Sequence, residues 1–200
     1  MRNLIAILRG IQPHEIEAIV EVLLSEGIQK IEVPLNSPQP FQSIALMVKN
    51  FEGQGLFGAG TVLHKSQVEK LAGLGAQMIV SPDCKPEIIR LSKSLGLQSF
   101  PGVMTPSEAF AALDAGADGL KFFPGELIGP VGLKAMKAVL PDDVNCLAVG
   151  GAKPDSFAEW VKAGATGFGL GSALYKAGNS AAEVAIKARD IVQYYDSAFS

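Results

Sequence analysis

The sequence predicts an α/β protein, a single-domain (β/α)₈ TIM barrel over residues 1–200, on three observations. Short apolar runs alternate with longer segments of helical period. The helical segments repeatedly end in glycine, at Gly27, Gly53, Gly75, Gly96, Gly116 and Gly164, and the apolar runs number eight. A residue just past a helix often takes a left-handed conformation that glycine adopts without steric cost, so the recurring unit reads helix, glycine, strand. Even repetition of that unit favours a closed parallel barrel. An open doubly wound sheet is the alternative, and no GxGxxG follows the first strand to support it.

The predicted strands are Leu4–Leu8, Lys30–Pro34, Leu56–Gly60, Met78–Ser81, Leu97–Phe100, Gly119–Phe123, Cys146–Val149 and Gly167–Leu170. The segment after Pro13 places Ile16, Ile19, Val20, Leu23 and Leu24 on one helical face, as an outer-ring helix packed on a barrel requires. Its glutamates, Glu15, Glu17, Glu21 and Glu26, read as a solvated face. No linker, low-complexity tract or second domain is visible.

Composition narrows the function classes. Two hundred residues with 48% hydrophobic content suit one domain with a full core. The net charge of -3 comes from 17 basic and 20 acidic residues scattered along the chain. With no basic stripe, neither nucleic acid nor an anionic membrane is an expected partner, and an anionic ligand must be held locally. Cys84 and Cys146 lie far apart without metal-ligand spacing and read as reduced structural thiols. The opening MRNLIAILRG is too short for a signal peptide or a membrane span before Arg9, so a cytoplasmic protein is expected. His14 at a helix start and His64 in a loop have no second ligand nearby, and neither a metal nor an organic cofactor is expected.

The chemistry centres on Gly119-Leu120-Lys121-Phe122-Phe123-Pro124, a strand-like run with one lysine inside it. Burial among apolar side chains disfavours the ammonium and supplies the neutral amine that attacks a ketone, which makes Lys121 a Schiff-base candidate. The fragment alone leaves open a lysine that snorkels to solvent or pairs with Glu126. In barrels of this type the site lies at the C-terminal ends of the strands. Those ends carry Arg9, Glu32, Thr61, Pro82, Pro101, Lys121 with Phe123, Gly150-Gly151 and Gly171-Ser172. Strand alternation sends Lys121 and Phe123 to one face and isolates Glu32 from Ile31 and Val33, so both ionisable groups can point inward as an acid-base and nucleophile pair. The other reading of Glu32 is a structural carboxylate paired with Lys30 or Arg9. Two glycine turns in successive late loops match the place where barrels bind phosphate through backbone N–H groups, with Ser172 adding a donor and Lys153 a charge. Gly58-Ala59-Gly60-Thr61 offers little bulk and one hydroxyl, which suits a small carboxylate or keto group, or merely a tight turn.

These residues together resemble the class I 2-keto-3-deoxy-6-phosphosugar-acid aldolases (the KDPG/KHG aldolase family) along essentially the whole chain. The motifs are LIAILRG, IEVPLNSP, GAGTVL, IVSPD, FPGVMTPSEA, LKFFP, AVGGAKP and GLGSALY, in the family's order and spacing. Phosphogluconate members typically carry E-V-T-L-R-T after strand two. Here the run is Glu32-Val33-Pro34-Leu35-Asn36-Ser37, with Asn36 in place of the arginine and Arg9 at the end of strand one. That exchange, and Val149 where gluconate enzymes usually carry threonine, resembles the phosphogalactonate branch. The chain also begins almost at strand one, without the N-terminal helix common in gluconate members.

The resemblance implies cleavage of 2-dehydro-3-deoxy-6-phosphogalactonate to pyruvate and glyceraldehyde 3-phosphate, in galactonate breakdown, through an imine on Lys121 with Glu32 moving protons. It implies that Arg9 and Thr61 hold the carboxylate end, with Asn36 and Pro82 also at the site. Gly150, Gly151, Gly171 and Ser172 hold the phosphate, Phe123 walls the imine from water, and Val149 biases the epimer. A homotrimer is implied as well, for which Phe41, Phe157 and Trp160 are either contact residues or core. Rival readings keep the barrel: a phosphogluconate or keto-hydroxyglutarate aldolase, an epimerase or thiamine phosphate synthase without an imine, or a sugar-phosphate-binding barrel without chemistry.

Overall fold

A computed structural model describes residues 1–200. All eight predicted strands form, and the fifth continues past its predicted end at Phe100 as a separate two-residue strand, Gly102–Val103, which makes nine. The strands are β1 (Leu4–Ile7), β2 (Lys30–Pro34), β3 (Leu56–Gly60), β4 (Met78–Val80), β5 (Gln98–Phe100), β6 (Gly102–Val103), β7 (Leu120–Phe122), β8 (Cys146–Val149) and β9 (Gly167–Leu170). Every ladder is parallel, in the order β5-β4-β3-β2-β1-β9-β8-β7-β6. Pro101 divides the fifth strand because proline has no N–H to contribute to a ladder. The two ends of the sheet are therefore consecutive in the chain. Ser81 N donates to Phe100 O at 3.2 Å on one side and Lys121 N to Pro101 O at 2.9 Å on the other, so the ring closes through the backbone itself.

The helices are α1 (Ile16–Ser25), α2 (Pro40–Asn50), α3 (Lys65–Gly73), α4 (Pro86–Ser94), α5 (Pro106–Asp114), α6 (Gly125–Lys137), α7 (Phe157–Lys162) and α8 (Ala181–Ala198). The six glycines expected at helix ends all have positive φ, from +74° at Gly53 to +106° at Gly164. After α1 the Gly27 N–H reaches Leu24 O at 3.0 Å and the Ile28 N–H reaches Leu23 O at 2.9 Å, which satisfies two terminal carbonyls and turns the chain into β2. Helix α6 departs from the pattern. It breaks at Gly129 (φ 61°, ψ 170°) before Pro130 and is followed by no such glycine.

Alternation along the strands separates two cores. Outward residues such as Leu4, Ala6, Ile31, Val33, Leu120, Phe122 and Phe168 pack under the helices, including the Ile16, Ile19, Val20 and Leu23 face of α1. Inward residues Ile5, Ile7, Met78, Val80, Phe100, Leu147 and Val149 fill the barrel. The inner set is small because Gly58, Gly102 and Gly167 lie so close to the Met78, Pro82 and Asn3 carbonyls that no Cβ fits.

Phe157 stacks on Phe168 at 3.9 Å between centroids, and Phe168 meets Tyr195 edge-on at 6.4 Å. Phe157 and Trp160, three residues apart on α7, both face this core, so of the two readings left open for them the core one holds. Phe41 is half-buried, with the Lys70 ammonium 3.9 Å from its ring centroid. No helix is long and apolar enough to cross a membrane. Truncating the stacked aromatic tests the outer core: Phe168→Ala should lose about 3–5 kcal/mol in urea denaturation, and a loss below about 1 kcal/mol would show that the layer does not hold the fold.

Candidate active site

The mouth of the barrel is open at the C-terminal ends of the strands, and a cleft of about 750 Å³ runs over β1, β7, β8 and β9. Of the residues predicted from sequence, Arg9, Lys121, Phe123, Val149, Gly150, Gly151, Gly171 and Ser172 line it. Glu32 lies beneath, 2% exposed, with its carboxylate against Gly60 where any side chain would overlap both oxygens. Thr61, Asn36 and Pro82 stand on the other half of the mouth, after β3, β2 and β4, and do not line the cleft.

Lys121 is 6% exposed, and its ammonium lies 4.5 Å from the centroid of the Phe123 ring. Burial lowers its pKa from the ordinary lysine value; the Glu32 charge opposes that shift and the Arg9 charge adds to it. Burial acts on Glu32 in the opposite sense and pushes its carboxyl up to about 7, with Lys121, Arg9 and the Gly60 amide holding it from going further. Each group thus pulls the other toward the charged form while the protein around them favours the neutral pair. The Glu32 Oε2 atom is buried without a hydrogen-bond partner, an unused acceptor beside a buried amine.

The alternatives left open by sequence separate cleanly. The four ion pairs of the chain are Arg2–Asp196, Lys85–Asp83, Lys93–Asp118 and Arg189–Glu26, so Lys121 is bridged to neither Glu126 nor any other carboxylate. Lys30 donates instead to Asn3 Oδ1 at 2.7 Å near the opposite end of the barrel. Arg9 donates to Asn36 Oδ1, which ties the ends of β1 and β2 together and fixes where the guanidinium stands. Thr61 has φ +57°, a left-handed backbone that costs a β-branched residue on the order of 1–3 kcal/mol, directly after the glycine-rich end of β3.

Gly150 and Gly151 both have φ +83°. Gly151 abuts the backbone of Glu126, and Gly125 abuts the carbonyls of Val149 and Gly150, so the loop after β8 and the start of α6 touch with no room for side chains. Sequence reasoning did not place Ile7, Asp155, Lys176 and Tyr194 in the cleft. Ile7 follows from strand alternation two residues beyond Ile5. The other three sit on loops or an outer helix, where periodicity carries no signal of direction toward the mouth. No group of three or more His, Cys, Asp or Glu side chains is placed to hold a metal ion.

Known proteins resemble the whole of this barrel, in sequence and in structure. Residues 1–188 match the family model of the KDPG and KHG aldolases. The chain is 48% identical over 195 residues to the 2-dehydro-3-deoxy-6-phosphogalactonate aldolase of Escherichia coli (strain K12), spanning 98% of this chain and 95% of that one. It superposes on a native KDPGal structure with a TM-score of 0.96 at 47% identity, covering 98% of this chain and 95% of the other. It also matches a cube-shaped, highly porous protein cage designed by fusing symmetric oligomeric domains, with a TM-score of 0.97 at 47% identity, covering 99% of this chain and 73% of that one.

The electrostatics of the pair can be read directly. Carbon-13 NMR of the Glu32 carboxyl should show a midpoint at about 7. Removing the neighbouring ammonium in Lys121→Met takes away an influence that lowers this pKa, so the midpoint should move higher. A midpoint in the ordinary glutamate range would show that water reaches the carboxyl and that the pair is not desolvated.

Proposed function

The chain belongs to the KDPG and KHG aldolase family, carbon-carbon lyases that release pyruvate, and from that premise we propose that its substrate is 2-dehydro-3-deoxy-6-phosphogalactonate, cleaved to pyruvate and glyceraldehyde 3-phosphate. The observation that carries the reading is the buried Lys121–Glu32 pair under a cleft rimmed by glycine turns. In its neutral form Lys121 Nζ adds to the keto carbon, and loss of water leaves a protonated imine. The Glu32 carboxylate takes the proton of the hydroxyl on the fourth carbon. The bond between the third and fourth carbons then breaks, with its electron pair passing to the imine to form an enamine as the aldehyde leaves. Glu32 returns the proton to the third carbon, and hydrolysis of the new imine frees pyruvate and the lysine. A carboxyl with a pKa near 7 suits both directions of transfer at neutral pH.

Arg9, set by Asn36, and Thr61 hold the carboxylate end of the substrate, with Pro82 shaping that side of the mouth. Gly150, Gly151, Gly171 and Ser172 take the phosphate, and Phe123 covers the imine. Val149 is 5% exposed at the cleft wall, and its two methyl groups pack against Gly169, which has no side chain. An apolar wall withholds a hydrogen bond from one epimer, which is worth about 1–3 kcal/mol in a single buried contact. The gluconate-specific and keto-hydroxyglutarate readings share the chemistry and differ here and in the exchange that pairs Asn36 with Arg9. The reading includes a cytoplasmic location, consistent with two free cysteines and phosphorylated reactants.

The reading also includes a homotrimer. On α6, Leu127 and Val131 are 69% and 82% exposed around the Gly129 break, and Met104, just before α5, and Phe110, on α5, are exposed as well. Exposed large apolar side chains of this kind support a subunit contact. Two further copies of this chain, each contact using Leu127 and Val131, should give a three-subunit mass by light scattering at micromolar concentration, and Leu127→Lys with Val131→Lys should reduce it; a monomeric wild-type mass would refute the trimer.

Pyruvate release, followed by a coupled lactate dehydrogenase assay, should be faster from the galactonate than from the gluconate epimer, and Val149→Thr should narrow the preference by about tenfold or more. Lys121→Met should abolish both release and borohydride trapping of pyruvate. Full activity in that variant would remove the imine from the mechanism, and a gluconate preference in the wild type would overturn the substrate assignment.

A further inference from the structure

The cleft carries a cation that the cleavage chemistry does not use. Lys176 lines it from the loop between β9 and α8, four residues beyond Ser172. The loop is anchored on both sides of that lysine. Leu174 and Tyr175 are 0% and 2% exposed, and the Tyr175 hydroxyl reaches Glu15 Oε2 at 3.5 Å. Ala177 packs against Gly10 next to Arg9, and Asn179 Oδ1 accepts both the Lys176 backbone N–H at 3.0 Å and Lys187 Nζ at 2.8 Å. The Lys176 ammonium itself belongs to none of the four ion pairs and makes no side-chain hydrogen bond, so its backbone is fixed while its charge is uncommitted.

The other cations of the cleft are differently placed. Arg9 is held by Asn36, Lys121 is the buried amine, and Lys153 shares its loop with Asp155, which lines the same cleft along with Glu126. From Gly171 to Asn179 the loop holds no carboxylate at all. We infer that Lys176 is a specificity-determining residue that reads the terminal phosphate of the substrate as a charge, complementing the backbone N–H groups and the Ser172 hydroxyl, and that it separates phosphorylated from unphosphorylated keto acids. A charge-assisted contact to a dianion is stronger than a neutral one, and a flexible ammonium meets a phosphate as a point charge from several angles. The inference rests on the aldolase reading above.

The test uses Lys176→Met and Lys176→Arg in the full chain. With 2-dehydro-3-deoxy-6-phosphogalactonate, Lys176→Met should raise KM by about tenfold while kcat falls far less, and the arginine variant should recover most of that loss. Raising the salt should weaken substrate binding in the wild type and do so less in the methionine variant, because one screened charge is gone. Borohydride trapping of pyruvate, which has no phosphate, should match the wild type. A KM equal to that of the wild type would overturn the inference alone. Loss of pyruvate trapping in Lys176→Met would overturn it too, by showing a general disturbance of the site. Failure of the wild type to trap pyruvate or cleave either epimer would instead overturn the aldolase reading, and this inference with it.

Discussion

The structure depends on a desolvated pair of ionisable groups inside the barrel, Glu32 from β2 and Lys121 from β7. Either group alone in that interior would be expelled or neutralised, since an isolated charge away from water is far more costly than a mispacked side chain. Together they are tolerated, and the tolerance is incomplete: the carboxyl is raised, the amine lowered, and one carboxyl oxygen left without a hydrogen bond. That incompleteness is the useful property. A fully satisfied ion pair would hold its proton arrangement too firmly to exchange protons with a substrate near neutral pH.

The rest of the fold makes room for the pair while leaving it almost wholly buried. Gly60 lies where a side chain would collide with the Glu32 carboxylate, and Gly58 lies against the Met78 backbone, so β3 contributes almost no volume to the interior. Ile7, Val80, Phe100, Leu147 and Val149 fill the remaining space with apolar groups. Pro101 serves the same end by a different route. It interrupts the fifth strand just where the ring must close, yet its carbonyl still accepts from the Lys121 N–H, so the backbone that carries the lysine is pinned at the seam.

Much of this was legible in the sequence because glycine, proline and alternation act locally. Six glycine helix ends and eight apolar runs determine the barrel, and period-2 alternation places Lys121 and Glu32 on inward faces without any knowledge of distance. What was not legible depends on direction over longer range. Phe157 and Trp160 look the same in sequence whether they face a partner or the Phe168 layer, and only the packing of α7 decides. The exposed pair Leu127 and Val131 was hidden because the Gly129 break rotates the second half of α6 away from the period of the first. Arg9 and Asn36 were each readable as site residues, but not as a bonded pair joining two strands.

The two halves of the mouth are built on different physical terms. The half over β1, β2 and β3 uses a guanidinium fixed by an amide and a strained threonine, devices that set geometry. The half over β8 and β9 uses left-handed glycine backbone after β8 and the lysines Lys153 and Lys176, devices that set charge with loose geometry. In the proposed reaction that division matches what each end of the substrate demands. The carbon skeleton beside the imine must be aligned for bond cleavage within a fraction of an ångström, whereas a terminal phosphate needs only to be attracted and retained. Val149 ends β8, the strand that leads into the glycine loop, and belongs to the apolar cluster inside the barrel. In the proposed reaction a change there would alter which epimer fits while leaving the amine, the carboxyl and the glycine loops where they are. Substrate preference within such a barrel can therefore shift by single side chains without rebuilding the chemistry.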